Sequence, residues 1–79
     1  MLKIEITARF RADGSLIPLE FRLESETVQV QNVGRQWQSE EGRHLLVMDF
    51  RGKTYHLFFQ LRDLGWYLIQ DIKGTPDLV

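Results

Sequence analysis

The chain predicts one all-β domain: a small antiparallel six-stranded barrel, or a strongly bent meander sheet, of SH3-like character. Three observations predict it. Apolar and polar residues alternate with period two through most of the chain, the signature of half-buried strands. No window of ten residues carries a 3.6-residue period. Short turns such as Asp13-Gly14 and Arg51-Gly52 separate the alternating runs at brief intervals. With 79 residues there is room for one domain and one core, since a chain this small buries only about 60–65% of its unfolded surface.

The first strand is Leu2 to Phe10, where every even position is apolar and every odd one polar. Ala12-Asp13-Gly14-Ser15 reverses the chain. In the second strand Ile17, Leu19, Phe21 and Leu23 alternate with polar residues and Pro18, and Pro18 belongs at the strand's start or on an outward edge because it cannot donate to a ladder. Ser25-Glu26 turns into a third strand, Thr27 to Gln31. Alternation slips at Asn32-Val33-Gly34, which predicts a bulge or bend before Arg35-Gln36-Trp37. Residues 38–42 make a polar loop. His44–Phe50, Thr54–Leu61 and Trp66–Ile72 complete the meander. Residues 1–73 form the domain, and residues 74–79, opening on Gly74-Thr75-Pro76, form a short C-terminal tail.

Composition narrows the function classes. Net charge is −1, with ten Lys plus Arg against eleven Asp plus Glu, unlike the strongly basic footprint of a general nucleic-acid binder. The charge is uneven: +2 over residues 1–11, −4 over 12–41, +3 over 42–62 and −2 over the remainder. Without cysteine there is no disulfide scaffold, thiolate nucleophile or sulfur-ligated metal. No run approaches the roughly 18 apolar residues of a membrane helix, and the N-terminus lacks the apolar stretch of a signal peptide. A cytoplasmic setting is expected.

Pairing the last strands exposes a second apolar face. If Arg51-Gly52 are nearly the whole turn, Met48 faces Tyr55, Leu46 faces Leu57 and His44 faces Phe59, with Phe59 beside Leu68 on the core side. The outer side then pairs Leu45 with Phe58, Val47 with His56, Phe58 with Ile69, His56 with Asp71 and Gln60 with Tyr67. A water-facing side should read polar, yet Leu45, Val47, Phe58, Tyr67 and Ile69 form one cluster with His56 and Asp71 as its polar element. Exposed, it would approach the few hundred Å² that mark interaction surfaces. Three coverings are open: the chain's own N-terminal strand, 38–42 loop or Leu78-Val79 tail; a second copy or another protein; or a ligand in a groove.

Catalytic chemistry has little support. In this register His44 and His56 fall on opposite faces, so no metal site is expected, and no cofactor cradle is present because each glycine is isolated at a turn or bend. His56 beside Asp71 resembles half of a triad, but Ser15, Ser25 and Ser39 lie in turns or loops away from it. Glu40-Glu41 are adjacent in a loop without an enforced common geometry. The expectation is a protein without enzymatic activity. Single-stranded nucleic acid is the rival ligand, through Arg35, Trp37, Arg43, Arg51 and Lys53, since small barrels combine phosphate-tracking cations with stacking aromatics.

The stretch Ile17-Pro18-Leu19-Glu20-Phe21-Arg22-Leu23, then Val28-Gln29-Val30 and Val33 through Arg35-Gln36-Trp37, resembles a family of small uncharacterised bacterial β-domains. Tyr55-His56-Leu57-Phe58-Phe59 and Gly65-Trp66-Tyr67-Leu68 are similar to that family's closing hairpin. The likeness spans roughly residues 4–72 and is a pattern of core residues and turns. It implies a bacterial protein and, because some relatives are attached to or near translesion-type DNA polymerases, a DNA-linked or polymerase-accessory role. The chain departs from the family in having Leu23 where an aromatic is usual, and in lacking its basic character. Taken together, the expectation is a non-catalytic interaction or accessory module that binds another protein, or a second copy of itself, through the outer face of the last three strands.

Overall fold

A computed structural model describes residues 1–71, the side chains of Gln70 and Asp71 excepted. Six strands follow in order: β1 (Leu2–Phe10), β2 (Leu16–Leu23), β3 (Glu26–Gln38), β4 (Gly42–Asp49), β5 (Thr54–Gln60) and β6 (Gly65–Asp71). Each pairs antiparallel with the next, and β1 returns to β6 through Leu2–Leu68, Lys3–Tyr67 and Ile4–Trp66, closing a barrel. The small antiparallel barrel expected from the alternation is therefore the fold. Closure leaves no free sheet edge. The expected tail at 74–79, and Ile72 as a strand residue, lie outside the described residues.

The interior is filled by Ile4, Leu16, Phe21, Leu45, Val47, Tyr55, Leu57 and Trp66, with Ile6, Ala8, Leu23, Val28, Val30, Val33, Phe59 and Leu68 packed against them. Ile4, Ile6 and Ala8 of β1 supply one wall of this core, as the alternation predicts, while Leu2 and Phe10 at the strand's ends are exposed. In β2 the inward set differs from expectation. Thr7 pairs with Glu20 and Ala8 with Pro18, so Leu19 is an extra residue in a bulge. That bulge turns Leu16 and Pro18 inward together with Phe21 and leaves Leu19 exposed. Pro18 is thus fully buried and not on an outward edge; the bulge accommodates its missing N–H.

β3 is one continuous strand. It pairs with β2 through Glu26–Gln29 and with β4 from Val30 to Gln38. Register shifts at Val30/Asn32 and Val33/Gln36 bracket the predicted bend and let one strand serve both walls. The turns joining β1–β2, β3–β4 and β5–β6 gather at one end of the barrel. There Arg43 Nη1 donates to the Gly14 carbonyl at 3.1 Å, and the Leu61 N–H donates to the Glu41 carbonyl at 2.9 Å.

The register of the last three strands departs from the one inferred for the Arg51-Gly52 turn. β4 pairs Leu45 with Leu57, Leu46 with His56, Val47 with Tyr55 and His44 with Phe58, one residue away from the expected pairing. The loop is the cause. The Gly52 N–H donates to the Asp49 carbonyl, the Asp49 N–H donates to the Lys53 carbonyl, and Gly52 has φ +84°. This is a type I turn followed by a left-handed glycine, the three-residue hairpin loop. The Asp49 carboxylate fixes it by accepting the N–H groups of Arg51 at 2.8 Å and Lys53 at 2.9 Å. A one-residue slip exchanges the two faces of a strand, so Leu45 and Val47 point into the barrel while His44 and Leu46 point out.

Candidate functional site

The register places a layer of rings on the outer wall of β3, β4 and β5. Trp37 of β3 pairs with His44 of β4, and His44 with Phe58 of β5. The Trp37 and His44 rings lie 5.0 Å apart and nearly parallel, at 4°. His44 stacks on Phe58 at 4.6 Å, while His56 stands 5.2 Å from Trp37 and 5.1 Å from His44. Phe58 and Leu46 beneath this layer are only 3% and 1% exposed, although neither belongs to the interior cluster. Trp37 itself is 38% exposed. Tyr67 of β6 pairs with Phe58 and extends the wall; its hydroxyl donates to the Asp63 carboxylate, and the Lys3 ammonium lies 6.0 Å above its ring.

The two histidines, expected on opposite faces, meet here. His44 Nδ1 and His56 Nε2 are 2.9 Å apart, and His44 Nε2 lies 3.1 Å from Ser39 Oγ. Ser39 is held in the β3–β4 turn by its N–H to the Gly42 carbonyl at 2.8 Å. Its Oγ also accepts the Glu41 N–H at 3.3 Å and reaches the Gly42 carbonyl at 3.4 Å. Gly42 lets β4 lie close against β5 at this end: a Cβ there would stand 2.0 Å from the Phe59 carbonyl oxygen and 2.9 Å from the Phe58 ring. Burial pushes the His44 imidazole below its ordinary range, partly offset by the Glu41 charge. Burial and then the neighbouring His44 push His56 down as well. Both shifts favour the neutral imidazoles, between which one nitrogen donates to the other across the 2.9 Å contact.

Ser39, His44 and His56 have the order of a nucleophile, a base and an orienting group, but the remainder of such a site is missing among the described residues. The donor beside Ser39 Oγ, the Glu41 N–H, is spent on that oxygen itself. Glu40 and Glu41 follow directly in the chain, and their carboxylates oppose the negative charge an acyl-transfer intermediate develops.

The sequence-predicted patch is partly redrawn. His56, Phe58 and Tyr67 do lie on the outer side, while Ile69 falls in the register irregularity between β5 and β6. Leu45 and Val47 are 0% exposed and belong to the interior, a correction that follows from the three-residue loop. The expected pairing of His56 with Asp71 is replaced by Tyr55 with Asp71, and the Asp71 side chain lies outside the described residues. Trp37, His44 and Leu46 take the vacated places. Their signal was the Asp49-x-x-Gly52 spacing, which favours a type I turn and sets the register that brings them out.

The residues of the nucleic-acid alternative do not form one surface. Arg35 lies two residues from Trp37 on exposed β3. Arg43 is engaged with the Gly14 carbonyl, and a shallow hollow of about 150 Å³ lies between it and Gln36, Trp37 and Gln38. Arg51 and Lys53 sit in the β4–β5 loop at the other end of β4, where the Lys53 ammonium lies 5.4 Å above the Tyr55 ring. A larger hollow of about 450 Å³ opens at that end, beside Val28, Phe50 and Tyr55. Its buried carboxylate, Asp49, is already satisfied by the protein's own donors, which leaves it nothing to offer a ligand.

The fold and site define a closed antiparallel β-barrel with an aromatic outer wall. No protein-family model, curated protein or solved structure matches the chain.

Proposed function

We propose that the protein is a non-catalytic interaction module that docks another protein on the outer wall of β3–β6, with Trp37 as the anchor. The observation that carries this reading is the ring layer itself. Trp37 is part exposed yet already held flat against His44, so little side-chain freedom is lost on binding. Tryptophan is among the residues most enriched at the centres of protein interfaces. Exposed Arg35, Gln36 and Gln38 surround it, giving the polar rim such centres have. The resemblance to small bacterial β-domains supports a bacterial setting and makes a DNA-handling protein the first partner to try.

A photo-crosslinking amino acid at Gln38, on the exposed rim beside the intact Trp37, tests this in cells, with the same group at Glu5, exposed on β1, as control. A discrete conjugate from position 38 and none from position 5 is expected. Equal labelling from both positions, or none from 38, would remove the reading. Once a partner is in hand, Trp37→Ala should weaken binding by about 2 kcal/mol or more while costing the fold no more than about 1.5 kcal/mol. Single-stranded nucleic acid is the weaker occupant, because Arg51 and Lys53 stand at the far end of β4. Oligonucleotide quenching of Trp37 that disappears between about 50 and 200 mM salt would reverse that order.

A further inference from the structure

We infer that His44 and His56 form a two-histidine chelate for a divalent transition metal of cis-square-planar or tetragonal preference, Cu(II) first and Ni(II) second. Metal binding is independent of partner docking and is measured on the isolated protein, so either can fail alone.

The geometry points to this class of ion. His44 Nδ1 and His56 Nε2 converge at 2.9 Å on adjacent strands of one hairpin, a rigid placement. Metal–nitrogen bonds of about 2.0–2.1 Å drawn to two nitrogens 2.9 Å apart meet at roughly 90°. A tetrahedral ion would need the same nitrogens about 0.4 Å farther apart at those bond lengths, so the observed spacing lies nearer a right-angle chelate. Imidazole suits Cu(II) and Ni(II), and Cu(II) stands highest in the divalent affinity order.

When the metal binds, the hydrogen between the two nitrogens passes through water to the other nitrogen of the ring that carried it, so both imidazoles stay neutral and His44 Nδ1 and His56 Nε2 are both free to ligate. His44 then carries its own hydrogen on Nε2, and Ser39 Oγ, 3.1 Å away, accepts it. The Ser39 hydroxyl turns its hydrogen to the Gly42 carbonyl at 3.4 Å. This is the outer-shell support that metal-binding histidines generally have. Among the described residues no group of three or more His, Cys, Asp or Glu gathers to hold a metal, so the other coordination positions belong to water. Both rings are part exposed, which gives that water access.

The experiment titrates Cu(II) chloride into the free protein and follows Trp37, whose ring lies 5.0 Å from His44 and 5.2 Å from His56. One equivalent should quench most of the Trp37 emission, and electron paramagnetic resonance should show coupling to two imidazole nitrogens. His44→Gln and His56→Gln should each lower Cu(II) affinity at least tenfold. Ser39→Ala should lower it by about tenfold, as removal of an outer-shell partner does. Blocking the N-terminal amine should change nothing. A Cu(II) spectrum without imidazole coupling would overturn the site whatever the variants do, and so would affinity unchanged in the two glutamine variants.

Discussion

Asp49 closes the β4–β5 loop with one carboxylate. It accepts the Arg51 and Lys53 N–H groups and, at 3.0 Å, the Tyr55 hydroxyl from inside the barrel. Burial alone would raise its pKa, but the N–H groups of Lys53 and Arg51, the Tyr55 hydroxyl and the Arg51 charge outweigh it and hold the carboxyl below its ordinary 3.8. Asp49→Ala leaves those donors unmatched and should cost about 2–3 kcal/mol in urea denaturation. The contribution is complete above pH 3.8 and is lost as pH falls through the lowered native value. The histidine pair titrates in a separate window. Both rings sit below their ordinary 6.5 in the native state, so on acidification the unfolded chain takes up protons first. Stability should be level above pH 6.5 and fall as pH drops from there toward 5, and a His44→Gln/His56→Gln variant should flatten that slope. Stability unchanged between pH 7.5 and 5 would contradict the burial of the pair.

At the scale of the element, one loop decides which residues make the site. Period-two alternation identifies the inner face of β5, because Tyr55 and Leu57 alternate with Thr54 and His56, with Phe58 the apolar exception on the outer side. It is silent for β4, where Leu45, Leu46 and Val47 are consecutive and all buried, so either face reads as core. Only the loop type settles such a strand, and the difference between two and three loop residues lies in the Asp49–Gly52 hydrogen bond. β2 fails for a related reason: Ile17, Leu19, Phe21 and Leu23 alternate cleanly in the chain, but the bulge at Leu19 shifts the inward set. Two substitutions test the register. Val47→Glu places a charge in the barrel interior and should unfold the protein at a cost above about 4 kcal/mol, read as loss of the β-sheet circular dichroism signal. A folded Val47→Glu would return Val47 to the surface. Gly42→Ala drives a methyl into the Phe59 backbone and should cost about 3 kcal/mol or more.

For the whole molecule, a six-stranded antiparallel barrel or strongly bent sheet was legible in the number and spacing of the turns, without deciding between them. The seam was not, since the pairing of β1 with β6 joins the two ends of the domain and leaves no local mark in the sequence. That seam runs only over Leu2–Leu68, Lys3–Tyr67 and Ile4–Trp66, whereas β4 and β5 pair along nearly their whole lengths. Amide exchange should therefore be fastest along β1–β6 and slowest along β4–β5. The outer wall depends on closure too, because β6 carries Tyr67 into line with Phe58 only while both its neighbours hold it. All of these inferences require His44, His56 and Trp37 to share that wall. The most direct test is a carbon-edited nuclear Overhauser spectrum of the free protein, read at the two imidazole rings. Strong cross-peaks among the His44, His56 and Trp37 rings, and from His44 to Phe58, are the predicted result. Cross-peaks from His44 to Leu57 or Trp66, with none to His56, would place His44 inside the barrel and contradict the account.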